Sequence, residues 1–272
     1  MTRVALRGLF GRKLRTALTA LAIVLGVAMI SGTYVLTDSI DQAFDRIFTD
    51  IREGSNAVIS GRSAFDLSEG SGVTEPTFDE SLLAEVQGLP AVAAAEGSVD
   101  SDAAQLIGDD GKAVVYGGAP NLGFSIANPS SPFNPLTLVE GSWPGPSEVV
   151  VDKETAAKEG FEVGQTIGVQ VEGPVRRLPI SGIMQFSSGL TIGGATLAGF
   201  DLATAQSLMQ KDGRLDEIAV AAKPDASEQE LVAQIEEILP EGTQVQTGAQ
   251  QAQSDAAETN EFITFLQGFL LA

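Results

Sequence analysis

Thr16–Leu36 reads TALTALAIVLGVAMISGTYVL, 21 consecutive residues without a charge. At about 1.5 Å of rise per residue, a helix of this length matches a hydrocarbon core roughly 30 Å thick. The stretch is therefore expected to be a transmembrane helix over residues 16–37. Arg3, Arg7, Arg12, Lys13 and Arg15 stand directly before it, and the first acidic residue is Asp38. Lys and Arg beside a spanning helix stay on the cytoplasmic side. Residues 1–15 are thus expected to be a cytoplasmic basic segment at the plasma membrane, with everything past residue 37 outside.

The five basic side chains are read as topology and lipid-headgroup contacts, with direct contact to a cytoplasmic ATPase as the competing reading. A cleaved signal peptide would share the basic start, but its apolar core is about 7–15 residues and ends at a small-residue cleavage site. Here Ala20-Leu21-Ala22 lies inside the run, and no such triplet follows Leu36. Ala22 with Gly26, and Ala28 with Gly32, have the spacing that lets a second helix approach closely, although Gly and Ala are common in spanning helices anyway.

The chain carries 36 Asp and Glu against 16 Lys and Arg. Five of the bases precede residue 38, so the external part has 11 bases against 36 acids and a net charge of −25. That balance argues against nucleic acid as a partner, because its phosphates need Lys and Arg to neutralise them. An acidic exterior reads more readily as a solubility device than as a site for a cationic ligand. Residues 38–261 suffice for one large domain or two small ones.

Cysteine and histidine are both absent. Without them there is no disulfide, no Ser-His-Asp or Cys-His nucleophile and no ordinary zinc site. No Gly-x4-Gly-Lys-Ser/Thr loop occurs, and the run Gly189–Gly199 has no Lys, so it is expected to form turns and a flexible hairpin. Asp100-Ser101-Asp102 starts like a calcium loop, but Ala104, Gln105 and Gly111 stand where a ligand, Gly and Glu are required. It reads as a solvated acidic pair. A carboxylate-pair hydrolase is a third, weaker class, since nothing marks out one pair among the 36 acids. No catalytic, cofactor-binding or metal-ligating residue is assigned.

Past the membrane, Ile40, Phe44, Ile47, Phe48 and Ile51 recur at helical spacing with charges between them, which predicts a stalk helix over 38–54 with one packed face. Asn56–Ser60 reads as a strand, and Thr77-Phe78-Asp79-Glu80 as a capping box opening a helix through Gln87. Strands are expected at 92–99, 103–107 and 113–116, the last two joined by an Asp-Asp-Gly turn. Pro120 to Pro146 holds six of the 12 prolines and reads as a surface loop between subdomains.

Further strands are expected at 148–152, 166–171, 177–184 and 195–200, with a short helix to Glu159 and another over 201–209. After a strand at 217–222, Ser227 caps a helix with Glu230 three residues on and Leu231, Ile235, Ile238 and Leu239 on its apolar face. Thr243–Gln246 is the last expected strand. The fold class is α+β: an α/β unit over 55–247 interrupted by a β-rich insertion at roughly 100–200. A polar return stalk follows over 248–261, and 262–272 reads as the start of a second membrane helix cut short.

These residues resemble the amino-terminal part of FtsX-like, MacB-type ABC transporter permeases. The resemblance is carried by LRGLFGRKLRTALT at 6–19, EGSWP at 140–144 with EVVV at 148–151, GFEVGQTI at 160–167 and LPISGI at 178–183. Its Ala, Gly and Asp content resembles that of actinobacterial members. The resemblance implies a MacB-like periplasmic core domain, a separate ABC ATPase subunit as partner, and further permease helices or a second protomer. ATP-driven motion would pass through stalk and ectodomain, either to export a substrate or to act on an external partner, with no catalytic residue or cofactor in this chain. A single-pass anchored ligand-binding or adhesion module is the alternative from another class.

Overall fold

The computed structural model describes residues 15, 17–29, 31–32, 49, 52, 54–62, 76–117, 119–189, 191 and 194–254. The chain divides into two units, Met1–Phe44 and Asp45–Ala272. In the first, residues 17–29 are helical, and Leu18, Leu21, Ile23, Val24, Leu25 and Val27 are all between 54% and 61% exposed. Among the described residues no helix is long and apolar enough to cross a membrane. Arg15 is helical and exposed, whereas Arg3, Arg7, Arg12, Lys13 and the stalk residues Ile40, Phe44, Ile47, Phe48 and Ile51 lie outside the described residues. So do the expected return stalk beyond residue 254 and the apolar end at 262–272.

The second unit runs β1 (Ala57–Gly61), β2 (Phe78–Asp79), α1 (Ser81–Gln87), β3 (Val92–Ser98), β4 (Asp100–Ser101), β5 (Gln105–Ile107), β6 (Asn121–Ser125), β7 (Leu136–Gly141), β8 (Val149–Asp152), α2 (Lys153–Glu159), β9 (Thr166–Gln170), β10 (Arg176–Phe186), β11 (Thr196–Phe200), α3 (Leu202–Leu208), β12 (Arg214–Leu215), β13 (Glu217–Ala222), α4 (Glu228–Glu236) and β14 (Thr243–Thr247).

The order β14-β1-β13-β3 makes an antiparallel framework sheet. With α1 between β1 and β3 and α4 between β13 and β14, two split βαβ units interleave. The stretch from β4 to α3 is inserted between the second and third framework strands. Cross-strand pairs fix the two faces, because side chains alternate along each strand. Ala57 lies opposite Val220 and Ile59 opposite Ile218 on one face, where Leu82, Val86, Leu231 and Ile235 from the helices bury against them. Val58, Ser60, Glu217, Ala219 and Glu96 share the other face, which carries neither α1 nor α4.

The insertion forms a second sheet in the order β4-β6-β11-β8-β10-β9-β5, with β7 also on β10. The long strand β10 serves both ends of this sheet, pairing β9 over Arg176–Pro179 and then β8 and β7 further on. The sheet curls until its edges meet: the Ala104 N–H donates to the Asn121 carbonyl at 2.9 Å, and Ala103 bridges Asn121. Leu106, Ile167, Val169, Leu178, Ile180 and Phe200 are buried inside and join the framework residues in one continuous core. Leu136, Val150, Met184, Phe186 and Leu197 form a smaller cluster against Trp143.

Helix ends follow their side chains. Ser227 Oγ accepts the Glu230 N–H at 3.2 Å, so the expected cap of α4 is present. Asp152, buried, accepts Thr155 N–H at 2.8 Å through Oδ1 and Leu197 N–H at 3.0 Å through Oδ2, tying α2 to β11. The capping box expected at Thr77 does not form. Phe78 is instead buried in β2 opposite Leu215, and α1 starts at Ser81, whose N–H donates to Asp79 Oδ1 at 2.9 Å.

The expected loop between Pro120 and Pro146 holds β6 and β7. Its prolines, at 120, 129, 132, 135, 144 and 146, all fall outside those two strands, where no ladder hydrogen bond is lost. The Gly189–Gly199 run ends in β11, fully buried, where Gly199 is pressed by Ile126 and Val150. Of Ala113–Tyr116, Ala113 bridges Ile107 and the Val114 N–H donates to the Leu106 carbonyl at 2.8 Å, so the segment meets β5 without forming a strand of its own.

Candidate functional site

The chain enters and leaves the framework at one place. Ala57, the first residue of β1, pairs with Thr247, the last of β14. Asn56 fastens the surrounding segments. Its N–H donates to the Val220 carbonyl at 2.8 Å, its Oδ1 accepts the Ala222 N–H at 2.8 Å, and its carbonyl accepts the Gly248 N–H at 3.2 Å. A Cβ at Gly248 would collide with the Ser55 carbonyl, so the two segments can lie this close only because the residue is Gly.

From there a helix over 248–254 starts on a reciprocal capping box, Thr247 Oγ1 accepting Gln250 N–H at 3.2 Å and Gln250 Oε1 accepting Thr247 N–H at 3.0 Å.

Both segments reach across the framework face that carries no helix. The Arg52 guanidinium pairs with the Glu217 carboxylate, the two side chains being 14% and 20% exposed. On the leaving side, the Ser254 hydroxyl donates to Gln246 Oε1 at 3.4 Å. Gly54, at φ 87°, lies against Pro132 from the insertion, with no room for a side chain between them.

Glu217 also begins β13, where the chain returns from the insertion, and its neighbour Asp216 anchors that crossing. Asp216 Oδ2 accepts from Lys211 Nζ at 2.6 Å and from the Asp100 N–H at 2.9 Å, while the Asp216 N–H donates to the Ser98 carbonyl at 2.9 Å. Lys211 Nζ also donates to the Asp100 carbonyl at 2.8 Å. Val99 and Ser125 exchange two hydrogen bonds, N–H to Oγ at 3.0 Å and N–H to carbonyl at 2.9 Å.

Asp100 is therefore held through its backbone N–H and carbonyl, while the residue itself stays exposed, as does Asp102. Desolvation and then the Asp216 carboxylate push its carboxyl up to about 6, against the pull of Lys211 and Arg52. Two adjacent residues, Asp216 and Glu217, thus receive the insertion on one side and the entering segment on the other.

Among the described residues, no group of three or more acidic side chains is arranged to hold a metal ion. Of the expected topology and stalk residues, only Arg15 falls among those described. Arg52, Asn56, Lys211, Asp216 and Glu217 were not singled out in the sequence, because the contacts that join the segments run far along the chain: Arg52 to Glu217, Asn56 to Val220 and Ala222, and Lys211 and Asp216 to Asp100.

The framework is built of two interleaved βαβ units, carries a curled β insertion, and is entered and left side by side. A family model described as the MacB-like periplasmic core domain matches residues 16–238, and the chain belongs to that family. It carries the extracellular domain of a MacB/FtsX-like ABC transporter permease, and this places an ATPase among the partners of the family.

The fold matches the periplasmic region of MacB from Actinobacillus actinomycetemcomitans at TM-score 0.52 and 14% identity, covering 75% of this chain and 94% of that one. The extracellular domain of the noncanonic ABC-type transporter YknZ from Gram-positive bacteria aligns at TM-score 0.48 and 12% identity, over 71% of this chain and 99% of that one. No curated protein sequence matches.

Proposed function

We propose that this chain is the permease subunit of an ABC transporter that transmits ATP-driven motion from a separate ATPase through a stalk to its external domain, either exporting a substrate or acting on an outside partner. In this reading residues 1–15 are cytoplasmic, 16–37 cross the plasma membrane, 38–54 and 248–261 are the two stalk segments, 55–247 form the external domain and 262–272 re-enter the bilayer. The exposed apolar residues on helix 17–29 support the crossing, since a helix apolar on all sides needs an apolar surround. Arg3, Arg7, Arg12, Lys13 and Arg15 hold its inner end against the lipid headgroups, and Ile40, Phe44, Ile47, Phe48 and Ile51 pack the stalk against a neighbouring helix. ATP hydrolysis belongs to the partner subunit.

The observation that carries the reading is the side-by-side root at Ala57 and Thr247, with Arg52 on Glu217. A displacement of the entering segment is delivered through that pair to the strand that receives the insertion. Because the chain has no native cysteine, spin labels can be placed cleanly at Gln42 and Ala256 in the assembled transporter. Their separation should change on ATP binding and return on hydrolysis. An unchanged distance in a complex that still hydrolyses ATP, or failure of any nucleotide-binding subunit to copurify, defeats the reading.

A further inference from the structure

On the framework's outer side, β3 pairs only with β13, so its other edge stands open among the described residues. Its sequence, VAAAEGS, carries none of the lysines or prolines that usually guard such an edge. The Ala95 carbonyl accepts Gln87 Nε2 at 2.9 Å, which gives that edge position a side-chain partner in place of a neighbouring strand. Beside the strand lies a groove of about 430 Å³, bounded by Ala93, Ala94 and Glu96 on β3 and by Asn128, Ser130 and Pro132 of the insertion loop.

Glu96 is the one charge in this groove. Its Oε2 is out of reach of water and has no hydrogen-bond partner. A carboxylate oxygen in that state is costly unless a donor meets it. Across the strand stands Ala219, which has nothing to donate, and the nearby Arg52 is engaged by Glu217.

We propose that this groove takes an extended segment of an external partner polypeptide carrying a lysine or arginine. Its backbone lies along the open edge of β3, and its cation sits on Glu96. Small alanine side chains leave room for the added strand, strand addition supplies the main-chain hydrogen bonds, and the carboxylate selects the side chain. A second copy of this chain is a poor source of the segment, because its external part holds only 11 bases among 36 acids. The inference does not depend on transmission of motion, since the groove is preformed in the chain alone.

The test uses the full chain in detergent and a fluorescein-labelled, β-branched short peptide with one central lysine, read by anisotropy. Its counterparts carry glutamine in place of lysine, or N-methyl groups along one backbone edge. Binding is expected, weakened about tenfold or more by Glu96→Gln or by the peptide's Lys→Gln change, the loss typical of one charge-assisted hydrogen bond. Glu85→Gln, on the exposed surface of α1, should leave it unchanged.

The N-methylated peptide should not bind, and Ala94→Arg, which supplies a cation from within the groove, should abolish binding even if Glu96→Gln alters folding. No binding by the lysine peptide overturns the proposal, as does equal binding by Glu96→Gln or by the N-methylated peptide. Self-association of the chain abolished by Glu96→Gln also overturns it, by making a second copy the occupant.

Discussion

The framework and the insertion are built on opposite logics. The framework takes its strands from the two ends of the external chain, β1 and β3 before the insertion and β13 and β14 after it, and covers one face with helices. The insertion is a continuous run whose sheet curls on itself and buries its inner face, while residues of β7 and β10 on the outer face stay exposed. A curled sheet is self-contained in topology. Here it is not self-contained in energy, because Phe200, Leu106 and Val169 belong to the same buried cluster as Ile59, Ile218 and Leu231. The insertion is therefore attached by a core as well as by two strand crossings.

The largest effects test that shared core. Phe200→Ala in the insertion should cost about 3–5 kcal/mol and Leu231→Ala in the framework about 2–5 kcal/mol, both residues being fully buried. Trp143, the single tryptophan, reports on the insertion, and far-ultraviolet circular dichroism reports on the whole. In denaturant, both variants should shift both signals together. A Phe200→Ala protein whose Trp143 signal melts well before the dichroism would show that the two regions unfold separately and share no common core.

Next in size is the crossing itself. Lys211 and Asp216 are 16% and 13% exposed at the side chain and bonded at 2.6 Å. Lys211→Met leaves the Asp216 carboxylate with a buried Oδ1 already lacking a partner, and should cost about 1.5–3 kcal/mol. If the crossing matters to rigidity as well as stability, amide exchange at Val99, Asp100 and Ser125 should quicken more than at Ile59 or Ile218. Uniform quickening across both regions would mean that the crossing is only one more stabilising contact.

Smaller again is the cap of α4, where Ser227→Ala should cost about 1 kcal/mol, visible as a lower denaturant midpoint with unchanged slope. That cap is also where the sequence was most legible. Framework strands β1, β13 and β14 and helix α4 were all expected, at 56–60, 217–222, 243–246 and between Ser227 and Pro240, since each is bounded by its own turn or cap residues.

The insertion was less legible for a physical reason. Strands β6 and β7 are short, flanked by prolines, and become strands only by pairing with β11 and β10, far along the chain. Thr77 failed as a cap because burying Phe78 opposite Leu215 outweighs one capping hydrogen bond. The root and crossing residues were invisible for the same cause: Arg52 meets Glu217 across 165 positions, and Asp100 meets Asp216 across 116.

The smallest effect distinguishes the two regions by the sign of their response to pH. At the start of the framework helix α1, hydrogen bonds from the Ser81 side chain and then its N–H hold the Asp79 carboxyl below its ordinary value, so Asp79 adds stability above the usual carboxylate range and loses it as pH falls. At the crossing the sign reverses. Asp100, pushed up to about 6, keeps its proton in the folded chain while the unfolded chain has already released one from a group of ordinary pKa 3.8. Its contribution is therefore complete below pH 3.8 and lost as pH rises through 6. The residue itself is exposed, so solvent screening keeps the change small. The stability of the parent chain relative to Asp100→Asn should fall between those two pH values and stay level above them, whereas relative to Asp79→Asn it should rise across the acid range. Parallel slopes for the two variants would show that Asp216 and Lys211 do not set the charge state of the crossing.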